Sequence, residues 1–541
     1  MVKFTNNSKR FSPTQAQGDD DIVQVIEESR ANGGMNTYLD PSDIPNSQFT
    51  LVRNARIKAD KVGRASGTTL LTPTKPDSSA VLLYTNFTRF NGSSIYLRFT
   101  KNKVYRKGTS SWTEITSASP YSISDTDKIS FTTINDRFFF TTGNKEIQEI
   151  NFTLNTYAIL GNSGKYKYIT GFFNRLVGFN NYDATTPNPV LVGWSGDLNF
   201  GEWNPLVDIS AGSNPLVEAA TDFADPGSGV FGFASVILFL RERSLWAATK
   251  QGVASNPFNF QAVTASFGCD CPSSAIAKRN GIVWYDNRTN QVYDYSIGSS
   301  PKEIGDAIRN ELRNKVTNKA LIDGGYDPVL NEYHLCIPNV SSAVTYIYVY
   351  NYETNSWRER TINNAYGISS LDGVAGGLMI DDLVGTIDSL VGTIDSLTIA
   401  TTVQTPTVYY PKSNGDILQT SVVADNDNGE VMTMILESKI FSTSNQDLSI
   451  MRFNIVFFPL RAGTFSLYYS KDAGINYSLY KDVTWDSSGI GIRRRITCVK
   501  HIRAAQYKWK LVCIQGDFDI LDYSIEGVLV DFTKGYPNSR A

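Results

Sequence analysis

Histidine and cysteine are scarce in this sequence, and their scarcity restricts the chemistry that the chain can perform. Its 541 residues include two histidines, His334 and His501, and five cysteines. A Ser-His-Asp triad would need one of these histidines, and neither is accompanied by a Gly-x-Ser-x-Gly elbow. An odd number of cysteines in a large chain does not fit a disulfide framework, so we expect reduced thiols. We therefore expect a protein that is not an enzyme and has no catalytic residue.

Metal-binding motifs are also lacking. The closest pair of cysteines is Cys269 and Cys271, which flank Asp270. Zinc sites usually place paired cysteines two to four residues apart and need two further ligands. The sequence contains no second pair of this kind and no histidine cluster, and the adjacent Pro272 favours a turn at the entry to a strand. We expect no metal site and no cofactor.

Long apolar runs and an excess of positive charge are missing too. No run of 18 apolar residues occurs, so no membrane span is predicted, and the first residues lack the apolar core of a signal peptide. The 50 Lys and Arg residues are balanced by 53 Asp and Glu residues, for a net charge of -3. Because duplex binding depends on basic side chains that release counterions from phosphates, the chain has no general attraction for nucleic acid.

Several short motifs resemble parts of active sites, and each has a simpler interpretation. Gly161–Lys165 has two residues between its glycines where a phosphate loop has four, which indicates a turn. The acidic clusters Asp381-Asp382 and Asp19–Asp21 could supply the two carboxylates of a glycoside hydrolase, but we assign them to a solvated surface or a lumen lining. Successive residues of a strand face opposite sides, so Arg493–Arg495 is predicted at a surface or a subunit interface, with Lys500 and Arg503 nearby.

Aromatic residues are abundant, and they fall in short runs that predict strands. Hydrophobic residues make up 41% of the chain and charged residues 19%, which indicates a globular protein, and the 12% of aromatic residues favours β-structure. The predicted strands are Ser94–Phe99, Arg137–Thr142, Arg175–Phe179, Val236–Leu240, Gly281–Tyr285, Gln291–Tyr295 and Thr345–Tyr350. Many short strands separated by Asn-containing turns predict an all-β sandwich, barrel or propeller.

Internal similarity favours the propeller. Tyr96–Ile115 and Tyr346–Arg360 share the order of aromatic strand, polar turn and Trp, and Val283–Ile304 has a similar hairpin without the second Trp. This order resembles the outer hairpin of a kelch-like blade. Blades of that type have about 40–50 residues, so residues 46–380 would hold about six to eight of them. The alternative is a set of ordinary hairpins in two β-sandwiches.

Three further segments complete the predicted organisation. Residues 1–45 are an N-terminal arm with a short helix candidate at Ile22–Arg30. Residues 381–400 connect the propeller to the C-terminal region and contain LVGTIDSLVGTIDSL, whose glycines and β-branched residues disfavour the coiled coil that its spacing suggests. We favour a loop or strand that docks on a neighbour.

Residues 401–541 are predicted to form a β-sandwich-like C-terminal domain. Its predicted strands are Met451–Phe458, Thr464–Tyr469, Arg493–Cys498, Tyr507–Cys513 and Ser524–Phe532. Within it, Ser470–Tyr477 resembles the Asp-box hairpin of sialidase-type propellers, with the aromatic one place early. In such a hairpin the Asp side chain caps turn amides and Gly supplies a positive φ, so we expect a structural role.

Three segments together resemble the tail nozzle or hub proteins of short-tailed bacteriophages, also described as tail tubular or DNA-stabilisation proteins. The first runs from Asp40–Ile44 through Leu51–Asn54 to Gly63-Arg64. The second is Phe267–Gly305, with Gly-Ile-Val-Trp-Tyr-Asp followed by Val-Tyr-Asp-Tyr, and the third is Asp517–Phe532. The resemblance extends over most of the chain from about residue 40. The arm and the doubled LVGTIDS unit depart from the family's pattern.

The resemblance implies a structural protein of the virion tail that assembles in the host cytoplasm. It implies a homo-hexameric ring below the portal and adaptor, through which viral DNA leaves without sequence-specific binding, and a platform for tail fibres or spikes. A receptor-binding or polysaccharide-cleaving tail propeller is the alternative, and a cellular kelch-type interaction module is a third, because fold does not determine function.

The arm is predicted to contact a neighbouring subunit. Deletion of residues 1–35 is expected to impair assembly of the ring, as measured by sedimentation of the full-length and shortened chains. Unchanged assembly of the shortened chain would contradict this role.

Overall fold

The computed structural model describes residues 24–124, 126–183, 186–217, 225–339, 343–371, 408–421, 424–442 and 446–531. Within them the chain is almost entirely β-structure, with one α-helix, α1 (Arg309–Lys315). That helix has seven residues, and none of the described helices is long and apolar enough to cross a bilayer. The predicted all-β class is confirmed.

Five strands precede the blades of the propeller. They are β1 (Gln24–Arg30), β2 (Phe49–Arg53), β3 (Ala55–Lys58), β4 (Lys61–Arg64) and β5 (Gly67–Leu70). None of them pairs with the blade that comes next in sequence. They join sheets that are built mainly from residues beyond 320.

Six four-stranded antiparallel units succeed one another along the chain, and each is one blade of a β-propeller. Blades 1 to 3 comprise β6 (Leu83–Thr88), β7 (Ser94–Phe99), β8 (Val104–Lys107), β9 (Trp112–Ile115); β10 (Ser130–Ile134), β11 (Arg137–Thr141), β12 (Gln148–Asn151), β13 (Thr156–Ile159); and β14 (Tyr166–Phe172), β15 (Arg175–Asn181), β16 (Asn188–Trp194), β17 (Gly212–Pro215). Blades 4 to 6 comprise β18 (Gly227–Gly232), β19 (Val236–Arg241), β20 (Leu245–Val253), β21 (Asn256–Thr264); β22 (Ile276–Lys278), β23 (Gly281–Asp286), β24 (Gln291–Ser296), β25 (Lys302–Glu303); and β26 (Asp323–Asp327), β27 (Glu332–Pro338), β28 (Val344–Asn351), β29 (Ser356–Asn363).

Four hairpins of these blades share one turn. An Asn or Asp at the end of the first strand accepts hydrogen bonds from backbone N–H groups two or three residues later, and an Asn four residues later has φ between 50° and 52°. Asn adopts this left-handed conformation more readily than other non-glycine residues. The pairs are Asn151 with Asn155, Asp286 with Asn290, Asp327 with Asn331, and Asn351 with Asn355. The turn is therefore a repeated unit of blades 2, 5 and 6.

A six-stranded sheet occupies the seventh position of the ring. It contains β5 together with β30 (Ser369–Ser370), β31 (Val408–Pro411), β32 (Ile417–Ser421), β33 (Asn426–Asp427) and β34 (Glu430–Val431). Its innermost strand, β30, contacts both β26 of blade 6 and β6 of blade 1. β5 comes from the N-terminal part of the chain and pairs with β32 from the C-terminal part, so strands from both parts of the chain complete this sheet.

The C-terminal sandwich is built around two unusually long strands. Its strands are β35 (Met434–Ser438), β36 (Phe441–Ser442), β37 (Gln446–Ser470), β38 (Ser478–Trp485), β39 (Arg494–Ala504) and β40 (Gln506–Asp531). β37 and β40 pair antiparallel along their whole length. β39 pairs with the first half of β37, and β1 pairs with the second half of β40 beside it. β38 pairs with the second half of β37, and β35 pairs with the first half of β40.

Both long strands bend where register shifts come after Pro459, and the two halves fold against each other. At the bend, a Cβ on Gly463 would lie 2.5 Å from the Gln515 carbonyl oxygen, so the backbones meet more closely than a side chain permits. Phe457 from one half packs on Phe465 from the other, with ring centroids 5.2 Å apart. The result is a sandwich made largely from one bent strand pair.

The propeller and the sandwich share a sheet. β2 pairs with β29 of blade 6 through a parallel bridge between Arg53 and Glu359, and with β35 on its other side. Arg53 also forms an ion pair with the buried Glu359. The next residue, Asn54, has φ 50°, and its side chain accepts from the Thr361 N–H at 3.0 Å and donates to the Thr433 carbonyl at 2.9 Å. The joint is thus held by one bridge and two side chains.

Arg64 holds a second joint, between the seventh sheet and the sandwich. Its side chain is 1% exposed, and its guanidinium donates to four carbonyl oxygens at 2.6–3.1 Å. The acceptors are in Asp425, Met432, Ile514 and Gly516. Buried carbonyl groups need hydrogen-bond donors, and Arg64 supplies them both at the bend of β40 and beside the seventh sheet.

The predicted domain boundaries at residues 45/46 and 400/401 do not coincide with the sheets, because strands from both sides of each boundary belong to one sheet. The helix candidate Ile22–Arg30 is wrong over its described part, because Gln24–Arg30 pairs as a strand with Asp522–Gly527. β2 to β4 belong to the sandwich sheet and β31 and β32 to the propeller ring. The repeat LVGTIDSLVGTIDSL lies outside the described residues. Since Ala31 and Met35 are core residues, a deletion that removes only the arm should end at residue 23.

The substitution Arg64→Met is expected to lower the free energy of unfolding by roughly 2–4 kcal/mol, because Met fills the space but leaves the buried carbonyl groups of Met432 and Gly516 without these donors. Urea unfolding monitored by tryptophan fluorescence measures the effect. Arg313→Met, at an exposed position of α1, is the matched control and is expected to change stability by less than about 0.5 kcal/mol. Equal losses in the two variants would contradict the role of Arg64.

Candidate functional site

A central channel runs along the propeller axis. It encloses about 390 Å³ and is lined by residues from blades 1 to 6 and from the seventh sheet. Neighbouring inner strands are connected by hydroxyl groups: the Gly171 N–H donates to Thr132 Oγ1, and the Gly232 N–H donates to Thr170 Oγ1. Several small hydroxyl side chains also form the lining, among them Thr85, Ser130, Thr170 and Ser228.

One carboxylate faces the channel among the lining residues that the structure describes. Asp323 Oδ2 lies 3.8 Å from Lys128 Nζ and accepts a hydrogen bond from the Ile368 N–H at 3.0 Å. Burial raises the pKa of Asp323, although Lys128 opposes this effect. Because the lining offers a single carboxylate, it does not provide the two that glycoside hydrolysis requires. Apolar side chains line the channel together with the hydroxyl groups, and Lys128 and Asp323 form an ion pair in it.

The cysteines predicted to be reduced are all free and buried. The Cys269 thiol lies within hydrogen-bond reach of two carbonyl oxygens, those of Cys271 at 3.1 Å and Tyr285 at 3.4 Å. Burial raises the pKa of Cys269 and of Cys271 far above the ordinary value. A thiol held in its neutral form is a poor metal ligand and a poor nucleophile. Across the described ranges, no group of three or more His, Cys, Asp and Glu residues could hold a metal ion.

Asp270 and Asp286, beside these cysteines, are a pair of buried acids that the sequence did not single out. Asp286 accepts from the Arg288 side chain, and Asp270 accepts from the Asn287 N–H and from Lys319. Burial raises the pKa of Asp286; at Asp270 burial acts in the same direction, but the hydrogen bonds outweigh it and lower the pKa. Each carboxylate is engaged with a cation and a turn, so the pair locks the hairpin of blade 5.

Neither histidine forms part of a catalytic arrangement. His501 is exposed on β39, and its ring lies 2.7 Å from the Ser449 hydroxyl. His334 is buried, with Nε2 3.6 Å from Glu332. No carboxylate is paired with the His501 ring in the described structure, and no serine is paired with His334.

His334 belongs to a buried ionic cluster between blade 6 and the seventh sheet. Glu332 accepts from Arg358 at 2.6 Å, and Arg360 donates to Asp427 on β33 at 2.9 Å. Burial disfavours the charged form of Glu332, but Arg358 and the neighbouring hydrogen bonds outweigh it and lower the pKa of Glu332 to about 2. Each charge has a partner, so the cluster connects two blades without leaving a buried ion unpaired.

The Ser470–Tyr477 turn is ordered as an Asp-box-like hairpin between β37 and β38. Ser470 Oγ accepts from the Gly474 N–H at 2.8 Å, and Asp472 accepts from the Asn476 N–H at 2.9 Å. Gly474 has φ 95°, which favours glycine. These contacts give the motif a structural role.

The remaining motifs also lie on surfaces or turns. Arg493 and Arg495 have exposed side chains, which pair with Asp522 and Glu526 respectively. Gly161–Lys165 forms a turn in which the Asn162 N–H donates to the Gly201 carbonyl. The clusters Asp381-Asp382 and Asp19–Asp21 lie outside the described residues.

Comparison with protein-family models and with curated proteins gives no match. Among solved structures, BamB from Moraxella catarrhalis is similar, with a TM-score of 0.34 and 8% identity over 74% of this chain and 100% of that chain. The Dos1 propeller gives a TM-score of 0.35 and 9% identity over 75% of this chain and 97% of that one.

The extracellular domain of the hybrid two-component system BT4673 from B. thetaiotaomicron gives a TM-score of 0.41 and 9% identity over 77% of this chain. This chain spans about half of that domain's length, 47%. Similarity at this level carries no information about function. The propeller architecture is evident from the ring of sheets around the channel.

Replacing Glu332 by Gln is expected to destabilise the protein by roughly 3–5 kcal/mol at pH 7, because Arg358 stays buried without its counterion. The folded-state pKa of about 2 lies below the ordinary 4.5, so the stabilisation by Glu332 is complete above pH 4.5 and is lost as the pH falls toward 2. The difference between variant and wild type should therefore shrink over that window, as measured by chemical unfolding at each pH. Glu353→Gln, at an exposed position, is the control, and a difference independent of pH would contradict the assignment.

Proposed function

We propose that the protein is a structural subunit of a short-tailed phage tail, forming the nozzle or hub that extends the DNA-ejection channel. The observation that carries the proposal is the continuous sheet through β29, β2 and β35, which fixes the propeller to the C-terminal sandwich. Two lobes that share one sheet cannot hinge freely. Such a body is suited to a load-bearing wall.

The segments that carry the family resemblance coincide with this architecture. Arg53-Asn54 and Gly63-Arg64 form the two joints, Phe267–Gly305 contains blade 5, and Asp517–Asp531 is the second half of β40. The resemblance therefore falls on residues that determine the shape of the body. It does not fall on the lining of the channel, apart from the few residues that begin blade 5.

The propeller channel itself is too small to carry DNA. A space of about 390 Å³ is in the size range of small-molecule pockets, far below what a double helix needs. In the proposed assembly, DNA passes through the lumen that several subunits enclose. A subunit with net charge -3 has no general affinity for the passing duplex, which suits ejection.

The proposed partners are six copies of the chain, the adaptor and portal above them, and tail fibres or spikes attached outside. The proposed location is the virion tail, and the proposed role is mechanical, without catalysis. Closed propellers suit this role because radial repetition leaves only short, protected strand edges.

Electron microscopy of particles that carry a tagged copy of this chain tests the proposal. A label on exposed Asn428, in the turn between β33 and β34, is expected on a sixfold ring around the tail axis. A label at fibre tips, or a protein absent from every particle, would contradict it. Release of reducing sugar from host polysaccharide by the purified chain would favour a polysaccharide-cleaving propeller instead.

A further inference from the structure

Blade 3 carries an exposed aliphatic knob. The loop between β16 and β17, residues 195–211, presents Leu198, Leu206, Val207 and Ile209 to solvent, with Leu206 92% exposed and Val207 70% exposed. Soluble proteins rarely expose contiguous apolar patches without a function. We call residues 197–209 the blade-3 knob.

The knob is a built structure. Trp203 stacks on the buried Tyr166 with ring centroids 5.4 Å apart, and its indole N–H donates to the Phe200 carbonyl at 2.9 Å. Asp208 accepts from the N–H and the hydroxyl of Ser210 at 2.9 and 2.7 Å. The aromatic residues of the loop thus anchor it, while its aliphatic residues point outward.

Acidic residues surround these aliphatic side chains. Asp197, Glu202 and Asp208 lie within the knob, and the half-exposed Asp197 carboxylate is 3.7 Å from Arg175. The knob therefore combines an apolar centre with excess negative charge. An anionic membrane surface would repel it, whereas a basic protein surface with apolar residues would match it.

A surface of that kind exists on the C-terminal sandwich. Along β39 and the turn before it, Ile490, Ile492 and Val499 are exposed, and Val499 is 76% exposed. Arg493 and Arg495 lie among them, and Arg452 lies beside Val499 on the adjacent strand. We call residues 490–500 with Arg452 the β39 strip.

The strip has excess positive charge. Three arginines share two carboxylates there, since Arg452 and Arg495 both pair with Glu526 and Arg493 pairs with Asp522. Within the described part of the chain, β39 pairs with β37 alone, so its other edge is not covered by another strand.

The two surfaces lie on different parts of the molecule, the knob on blade 3 and the strip on the C-terminal sandwich. In a ring of seven positions, the third lies across from the sixth and seventh, and the sandwich is attached to blade 6 and to the seventh sheet. A contact between different surfaces of identical copies is heterologous, and repeated heterologous contacts close into a ring or continue as a filament.

We propose that the blade-3 knob of one copy docks on the β39 strip of the next, so that the chains associate head to tail. This inference rests on the proposed function in that such contacts would close the ring of the nozzle. Burial of the aliphatic side chains of the knob and the strip stabilises the contact. The opposite charges of the two surfaces orient the copies and disfavour contacts between two knobs.

A reciprocal charge test probes the contact with the full-length chain. Val207→Lys places a cation against the basic strip, and Val499→Glu places an anion against the acidic knob. Each is expected to weaken self-association about tenfold or more in sedimentation velocity, and the double variant is expected to recover much of the loss. Leu154→Lys, at an exposed position of the blade 2 hairpin, is the matched control and is expected to leave association unchanged.

A photo-crosslinking residue in place of Leu206 locates the contact directly, and a cross-link to residues 490–500 of another copy supports it. Association that survives both single charge variants, or cross-links that fall elsewhere, would overturn the inference and leave the ring itself standing. A chain that stays monomeric to about 100 µM and forms no cross-link between copies in assembled particles would overturn both.

Discussion

The single parallel bridge between β2 and β29 is the constraint on which the rest of the architecture depends. One bridge is a weak connection by itself, and here side chains complete it: the Arg53–Glu359 ion pair, the amide of Asn54 and, at the neighbouring joint, the guanidinium of Arg64. Buried polar groups strengthen such a joint when they are paired, as Glu359 is with Arg53 and as the carbonyl groups of Met432 and Gly516 are with Arg64. With them in place, the sheet of blade 6 continues into the sandwich, and the two lobes form one body.

The same principle organises the interfaces between blades. Blade 6 meets the seventh sheet through the paired charges around Glu332 and Arg360, and the inner strands are joined by hydroxyl side chains. Paired charges and directed hydrogen bonds fix the relative position of neighbouring sheets more specifically than apolar packing does. These polar residues of the interior therefore fix the shape of the body.

The local structure was largely predictable, whereas the long-range pairing was not. Strands such as Ser94–Phe99 and Gly281–Asp286 are indicated by alternation and aromatic content, and Asn at the turns marks their ends. An Asp or Asn followed four residues later by an Asn is visible in the sequence, and this spacing would have identified more hairpins.

The strand Gln24–Arg30 was wrongly predicted as a helix because its partner strand lies some 500 residues away, and local sequence carries no information about so distant a partner. Two separate strands were predicted in place of each of the long strands β37 and β40, because Pro459 and Gly516 are residue types typical of turns. In the structure these residues lie at the bend of a continuous strand pair. Among the surfaces, the arginine strip was noticed in the sequence, but the blade-3 knob was not, since exposure of Leu206 depends on how Trp203 anchors the loop.

The pairing of the first strands with the last has a consequence for the time at which the protein becomes complete. As the chain leaves the ribosome, blades 1 to 6 can form in order, but β5 stays without its partner until residue 421 has emerged, and β1, β2 and β4 wait for β35 and β40. The β39 strip likewise exists only once both long strands are made. A chain that ends before residue 421 therefore lacks a closed ring, and a chain that ends before β40 lacks an assembled sandwich. In the proposed assembly, only a chain whose synthesis is complete would offer both the blade-3 knob and the β39 strip.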